Sequence, residues 1–245
     1  MERQLQRLTW LKVKELVPEK IDTILLPVGT VEGHGSACLG TDNFIPETIA
    51  DGIAERVNAL IAPTVNYGIT KSLIRYAGGS TILPDHFALY IRDILDSCAD
   101  SDFKNVIVVN GHGGNNGVLK QVANDFHREK KTNICVLHWW EICGEMTQEF
   151  FGHLGGHGGT DESAMVHAID PALVDEKAFD KDLAYYFRRG ADIYPVPGTI
   201  LLYKEEEGYP QFDLDKSREY REKVIETVGE FVEMVIGRWR KFGLA

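Results

Sequence analysis

The sequence has few cysteines and no excess of positive charge, and both shortages exclude classes of protein. Its four cysteines, at positions 38, 98, 135 and 143, form no C-x-x-C pair, so neither a zinc ribbon nor a disulfide framework is predicted. The formal net charge of -11 at pH 7 disfavours a nucleic-acid-binding surface and a polybasic membrane contact. We therefore expect a protein with reduced cysteines and no nucleic-acid partner.

Long apolar runs are also missing. No run approaches the roughly 18 residues that indicate a membrane-spanning helix, and the N-terminal residues lack the apolar core of a secretory signal. We therefore predict no membrane segment and a cytoplasmic location. The 245 residues are 44% hydrophobic, which is enough to bury a sizeable core, and we predict one domain over residues 1–245.

Apolar runs and helical patterns alternate along the chain. Strands are predicted at 21–28, 60–65, 105–109 and 134–139, and helices at 44–60, 87–98, 116–130, 161–169 and 214–242. This alternation favours an α/β fold in which helices cover both faces of a parallel sheet.

The first chemical motif is Asn110-Gly111-His112-Gly113-Gly114-Asn115, which directly follows the β-branched run at 106–109. In an open α/β sheet, ligands bind at the carboxyl ends of the strands. His112 therefore lies where a site is expected, although a loop histidine bonded only to backbone is the alternative.

The second motif follows the first predicted strand. Glu32 and His34 are two residues apart, so in an extended segment both side chains point to the same side. Asp42 follows eight residues after His34, just before a predicted helix. It could be a ligand in the same cleft, or an N-cap that bonds the free helix N–H groups.

The third motif is His157-Gly158-Gly159-Thr160-Asp161-Glu162-Ser163, a glycine-rich loop that runs into a short helix. Thr160 is the expected N-cap. Glu162 would lie in the first turn, where the helix dipole favours a carboxylate, so a purely structural role is the alternative.

Two histidines, two glutamates and one aspartate form a mixed N/O set that suits Zn²⁺, Mn²⁺ or Fe²⁺. A bridging aspartate can hold two such ions about 3.5–4 Å apart, and paired ions activate water and polarise a carbonyl. The expected chemistry is hydrolysis by a metal-bound hydroxide, with His157 as a nearby base or acid.

Competing motifs are weak. The sequence contains neither a P-loop nor a G-x-S-x-G nucleophile motif, and glycines 111, 113 and 117 miss the dinucleotide-binding spacing by one residue. A non-hydrolytic nucleotide- or phosphate-binding α/β protein stays open as the alternative. Cys38 is interpreted as a small packed residue.

Four segments, in order along the chain, resemble the motifs of the creatininase (creatinine amidohydrolase) family. They are Leu26–Gly35, Gly40–Asp42, Asn110–Asn115 and His157-x-Gly159-x-x-Glu162-Ser163. The resemblance implies a three-layer α/β/α sandwich with a mostly parallel sheet, and often a homohexamer. It also implies about two divalent ions per chain, Zn, Mn or Fe, and hydrolysis of a non-peptide or cyclic amide C–N bond in a small molecule.

Carried over by motif, the resemblance implies five metal ligands, with Asp42 bridging: Glu32, His34, Asp42, His112 and Glu162. It assigns catalytic roles to His157, as base or acid, and to Glu162.

Three departures from the family pattern bear on the substrate. Gly114 stands where creatininase itself has a metal-binding glutamate, so the carboxylate is expected from Glu162, and creatinine is disfavoured as substrate. The 35–40 loop, expected to line the pocket, is one residue short. Trp139 and Trp140 follow a strand and are expected near the pocket or in packing. Family members that open a ring in sugar or inositol metabolism are a further alternative.

Overall fold

The centre of the protein is a four-stranded parallel sheet. The computed structural model describes residues 1–188 and 190–244. The strands of the sheet are β1 Thr23–Val28, β2 Ala59–Ile61, β3 Asn105–Asn110 and β4 Asn133–His138. They lie side by side in the order β2-β1-β3-β4, and every neighbouring pair is parallel, as the alternation of strands and helices predicts.

Helices connect and cover these strands. The α-helices among the described residues are α1 Trp10–Leu16, α2 Thr41–Ile53, α3 Pro84–Asp100, α4 Asn116–Glu129, α5 Trp139–Ile142, α6 Gly144–Phe151, α7 Thr160–Ile169 and α8 Leu214–Lys241. Short 3₁₀ helices lie at Leu5–Arg7, Gly113–Asn115, Pro171–Leu173, Glu176–Ala178 and Lys181–Leu183. A second parallel sheet pairs β5 Ala184–Tyr186 with β6 Ile200–Leu202. None of these helices is both long and apolar enough to cross a membrane.

The sheet separates two apolar cores because successive strand residues point to opposite faces. On one face, Leu25 and Ile107 pack in a buried cluster with residues of α2, α7 and α8. On the other face, Ile24 and Val106 pack with residues of α3 and α4. The predicted three-layer α/β/α arrangement is thereby confirmed.

The carboxyl ends of β1 and β3 lie next to each other. Val28 is in register with Asn110, and the Gly111 N–H donates to the Val28 carbonyl at 2.8 Å. The loops that carry Glu32, His34 and His112 therefore leave the sheet from one edge, as expected for a ligand site in an open α/β fold.

The first turn of α2 lies directly over these two strand ends. A Cβ atom built at either Gly29 or Gly111 would lie only 2.2 Å from the Asp42 carbonyl oxygen, so glycine at both positions permits the approach. Pro46 has no N–H with which to bond that carbonyl within the helix. This packing holds Asp42 at the centre of the strand edge.

Several predicted boundaries were wrong. Helix α2 begins at Thr41 rather than at 44, and it ends at Ile53 rather than near 60. Residues 54–58 form a turn, in which Asn58 is left-handed with φ of 50°, and β2 begins at Ala59. Thr160 is the first residue of α7 and not its N-cap, a position held by Gly159. Strand β4 ends at His138, and Trp139 begins the short helix α5.

Candidate metal centre

His34 and Glu32 lie in the loop after β1, and both side chains are buried. The His34 Nδ1–H donates to the Glu32 carbonyl at 2.9 Å. Because a carbonyl only accepts, this bond fixes the tautomer and leaves Nε2 of His34 as the nitrogen that could bind a metal.

Asp42 lies between two imidazoles. Its Oδ1 atom is 2.9 Å from Nε2 of His34, and its Oδ2 atom is 2.8 Å from Nδ1 of His112. Asp42 belongs to the first turn of α2, where Gly40 is the N-cap and makes no side-chain cap. The N-cap interpretation of Asp42 was therefore wrong, and its two oxygens instead face the two histidines.

His112 is oriented by the loop that follows β2. Its Nε2–H donates to the carbonyl of Ile69 at 3.0 Å, which leaves Nδ1 facing the carboxylates. Besides Asp42, Nδ1 lies 3.3 Å from Oε1 of Glu32. The alternative of a histidine bonded only to backbone is thereby excluded.

Glu162 and His157 enter from the loop and first turn of α7. Oε2 of Glu162 lies 3.6 Å from Nε2 of His34 and accepts the Gly158 N–H at 2.6 Å. The His157 ring packs at a tilt of 37° against His34, with centroids 4.1 Å apart, and its Nε2–H donates to the Gly33 carbonyl at 2.8 Å. The structure thus brings together all six residues that the sequence motifs singled out.

Charge balance in this cluster is unusual because the groups are buried. Burial disfavours a charged His34, but the Asp42 carboxylate outweighs it and raises the pKa of His34 to about 10. Burial also disfavours a charged His112, but the same carboxylate raises the pKa of His112 to about 9. Despite its own burial, Asp42 has a carboxyl pKa well below the usual range because of the His34 charge, whereas burial raises the pKa of Glu32 and of Glu162. The cluster therefore requires positive charge, which protons or metal ions can supply.

His157 has the opposite shift. Burial and the positive charge on His34 lower the pKa of His157 to about 3. Its ring is therefore neutral at pH 7, and the bond to Gly33 places the single proton on Nε2. Nδ1 is unprotonated and lies 3.6 Å from Oε1 of Glu32. This nitrogen is available as a proton acceptor.

The donor set fits divalent cations. Two groups of three ligand atoms lie within 4.8 Å of one another: one joins Glu32, Asp42 and His112, and the other joins His34, Asp42 and Glu162. A third such group joins Glu32, His34 and His157. Oδ2 of Asp42 is buried and lies 2.8 Å from Nδ1 of His112, so two atoms of the kind that bind metal ions face each other there. Imidazole nitrogens and carboxylate oxygens suit Zn²⁺, Mn²⁺ or Fe²⁺.

Gly114 is packed against the hydrogen bond that orients His112. A Cβ atom at this position would lie 2.2 Å from the Ile69 carbonyl oxygen and 2.4 Å from Nε2 of His112. A side chain here would therefore displace that bond. The loop thus leaves no room for a glutamate at 114, while Glu162 supplies a carboxylate from the opposite side.

Five of the six cluster residues, all except the fully buried His34, line a cavity of about 680 Å³. Its lining also includes Lys71, Trp140, Asp161, Arg188 and Tyr194. Both long loops at 66–80 and 194–210 contribute to the wall. Trp140 lines the cavity, whereas Trp139 is fully buried in the core.

The expectation that the 35–40 loop lines the pocket was wrong. None of residues 35–40, all of which the structure describes, lines the cavity, and Ala37 instead forms an antiparallel bridge with Val174. Cys38, in the same loop, is half-buried against the core, in agreement with its interpretation as a packed residue.

Sequence reasoning missed the residues that support the ligands. The Asn110 amide donates to the His112 carbonyl at 2.9 Å. Asn115 accepts the Ile69 N–H at 2.9 Å and donates to the Gly29 carbonyl at 3.1 Å. Both asparagines belong to the motif around His112, and their place in this motif is the one feature of the sequence that could have indicated their role.

Comparison with known proteins agrees with this geometry. Residues 6–209 match the family model described as Creatininase: Creatinine amidohydrolase. The creatinine amidohydrolase of Pseudomonas putida is 27% identical over 222 residues, which cover 79% of this chain and 84% of that protein. The mycofactocin precursor peptide peptidase of Mycobacterium ulcerans (strain Agy99) is 25% identical over 168 residues, 64% of this chain and 62% of the relative.

Solved structures show the same fold. A mutant creatininase of the Zn-Zn type superposes with a TM-score of 0.81 at 23% sequence identity, covering 96% of this chain and 98% of its own. Since the family model spans most of the sequence, the protein belongs to the creatininase family and to its class of metal-dependent amidohydrolases, as its motifs predicted.

Proposed function

We propose that the protein holds two divalent ions that share Asp42 and that it hydrolyses the amide bond of a small molecule. The observation that carries the proposal is the position of Asp42, whose two carboxylate oxygens face two different imidazoles. One ion would be held by Asp42, Glu32 and His112, and the other by Asp42, His34 and Glu162. Zn²⁺, Mn²⁺ and Fe²⁺ are the candidates.

Divalent ions bound here would polarise the amide carbonyl and lower the pKa of water. The chain's own groups supply proton transfer and orientation. His157 accepts a proton from water at Nδ1, because its Nε2–H is committed to the Gly33 carbonyl, and then passes that proton to the leaving nitrogen. Glu162 orients the reacting groups through its position beside His34 and His157.

The substrate is proposed to be a non-peptide or cyclic amide other than creatinine. The cavity of about 680 Å³ accepts molecules much larger than creatinine, and Gly114 removes a carboxylate that creatininase itself is expected to use. One relative is a precursor peptide peptidase and another is a 3-dehydro-scyllo-inosose hydrolase, so short peptides and polyhydroxylated cyclic ketones belong in a substrate panel together with cyclic amides and formamides.

The phosphate-binding alternative is disfavoured by the packing of the glycine motif. Gly111 lies beneath the Asp42 carbonyl, and Gly114 lies against the His112–Ile69 hydrogen bond. The backbone at these two glycines is therefore occupied by protein contacts and not open to a phosphate group.

Metal content tests the proposal directly. We expect elemental analysis to find about two ions per chain in the wild type and a clear loss in His112→Ala. His86→Ala is the matched control, because His86 is an exposed histidine on α3. Wild-type protein without metal after reconstitution, or an equal loss in both variants, would refute the dinuclear site.

Turnover tests the assigned roles. On any amide that the panel identifies, His157→Ala and Glu162→Gln are each expected to lower kcat by at least about 100-fold while the protein stays folded. Full turnover in His157→Ala would remove its role in proton transfer.

We further propose that residues 1–245 form one domain, because α8 packs with α2 and α7 in one core. We also propose a homohexamer, which the family resemblance implies, and a cytoplasmic location, which the composition of the sequence favours.

A further inference from the structure

Two successive carboxylates hold the loop that carries His157. Oδ1 of Asp161 accepts the Gly156 N–H at 3.0 Å, and Oε2 of Glu162 accepts the Gly158 N–H at 2.6 Å. The backbone amides immediately before and after His157 are therefore both bonded to the first turn of α7. Glu162 already has a proposed role, whereas Asp161 has none.

The surroundings of Asp161 hold its carboxylate in a defined, buried position. The residue is 5% exposed and lines the cavity. Within residues 1–188 and 190–244 Asp161 forms no ion pair, and the hydrogen-bond partner of its carboxylate is the Gly156 N–H. A Cβ atom at Gly155 would lie 1.9 Å from Cγ of Asp161, so the loop leaves room for this carboxylate by having glycine there.

Two further hydrogen bonds hold His157, one through its carbonyl and one through its ring. Its carbonyl accepts the Leu201 N–H at 2.7 Å, and its ring donates to the Gly33 carbonyl at 2.8 Å. These contacts fix the residue to β6 and to the loop after β1. Among the residues that the structure describes, the bond to Asp161 is the one that ties the Gly156 N–H to the helix that carries Glu162.

We propose that Asp161 is a positioning residue, which holds Nδ1 of His157 towards Glu32 and the cavity by accepting the Gly156 N–H. The inference rests on the proposed role of His157 and names a residue on which that role depends. What the bond requires is an acceptor oxygen and not a negative charge, so asparagine is expected to replace aspartate.

The test uses the Zn²⁺-loaded full-length protein with ¹⁵N-labelled histidine. Four proteins are compared with the wild type: Asp161→Ala, Asp161→Asn, Gly155→Ala and, as control, Gly237→Ala, whose new methyl group meets open space on α8. Hydrogen exchange reports on the Gly156 amide, and NMR reports the tautomer of the His157 ring, assigned by its absence in His157→Ala.

We expect Asp161→Ala and Gly155→Ala to speed exchange at Gly156 by at least about tenfold and to replace the single Nε2–H tautomer of His157 by a mixture. Asp161→Asn and Gly237→Ala should resemble the wild type in both measurements, and metal content should stay unchanged in all four. On an amide that the enzyme hydrolyses, kcat should fall by about 10- to 100-fold in Asp161→Ala with little change in KM.

Three results would overturn the inference: unchanged exchange and tautomer in Asp161→Ala, a loss in Asp161→Asn as large as in Asp161→Ala, or loss of metal. If Asp161→Ala does not fold, Gly155→Ala and Asp161→Asn decide between the same outcomes. Full turnover in His157→Ala would instead refute the role of His157 itself, while the exchange data would still judge the contact of Asp161 with the loop.

Discussion

Replacing Gly114 by alanine should damage the metal site although the substitution adds only one methyl group. The new Cβ would lie 2.2 Å from the Ile69 carbonyl oxygen and 2.4 Å from Nε2 of His112, so the two groups have to separate. Their hydrogen bond of 3.0 Å is buried, and it selects the His112 tautomer. The substitution therefore acts on a ligand without touching the ligand atom.

The magnitude follows from two costs. Leaving the buried Ile69 carbonyl without a partner costs about 1–3 kcal/mol, and forcing an extra methyl group into packed surroundings costs about 1–3 kcal/mol. Together they give a loss of about 2–6 kcal/mol in the free energy of unfolding, or roughly 4–24 °C in Tm for a chain of this size. Losing an outer partner of a metal-binding histidine lowers metal affinity or activity by about 10- to 100-fold.

Gly113→Ala is the matched control in the same loop. Its Cβ would meet only the Trp140 ring, at 3.9 Å, which is ordinary van der Waals contact. The assay measures Zn²⁺ affinity by competition with a chromophoric chelator and Tm by calorimetry. If the two alanine variants lose affinity equally, or if neither does, the hydrogen bond from His112 to Ile69 does not govern the site.

Three further predictions concern the same cluster. Asp42→Asn should abolish binding of both ions, measured by elemental analysis, because the neutral amide cannot bridge two cations; retention of one ion would show that the ligand groups are independent. Ile69→Ala should leave Zn²⁺ affinity within about threefold of wild type, because its backbone carbonyl still accepts from His112; a loss as large as that in Gly114→Ala would contradict this. The pKa values of His34 and His112 are raised to about 10 and about 9. Their positive charges therefore stabilise the metal-free fold fully below about pH 6.5, the ordinary pKa of histidine. This stabilisation is lost as the pH rises through about 9 to 10. Metal binding at pH 7.5 should accordingly release protons, roughly one from each imidazole. Calorimetry in buffers of different ionisation enthalpy detects this release, and a binding heat independent of the buffer would refute the prediction.

The sequence was sufficient to predict which residues meet in this cluster, because chemistry and position coincide. Glu32, His34 and His112 follow apolar strand runs, and parallel strands bring their carboxyl ends to one edge. Family motifs added Glu162 and His157. The layers of the fold followed from the alternation of strands and helices, which is a strong signal over a long chain.

The surroundings of the ligands were not predictable in this way. That Asp42 belongs to a helix turn depends on the close approach of its carbonyl to Gly29 and Gly111, a contact between residues 13 and 69 positions away along the chain. Likewise, no local pattern relates Gly155 to Asp161 or Ile69 to His112. These contacts depend on loops whose paths periodicity does not describe.

The three imidazoles of the site share one principle of orientation. His34, His112 and His157 each donate one ring N–H to a backbone carbonyl, that of Glu32, Ile69 or Gly33 respectively. Backbone carbonyls are present whatever the side chain, so substitutions at the accepting residues leave the acceptors in place. A change that displaces the backbone can disturb the orientation of these rings, and glycines that permit close approach are positions where one methyl group does so. In this site, the glycines of the motifs therefore determine how the histidines beside them are oriented.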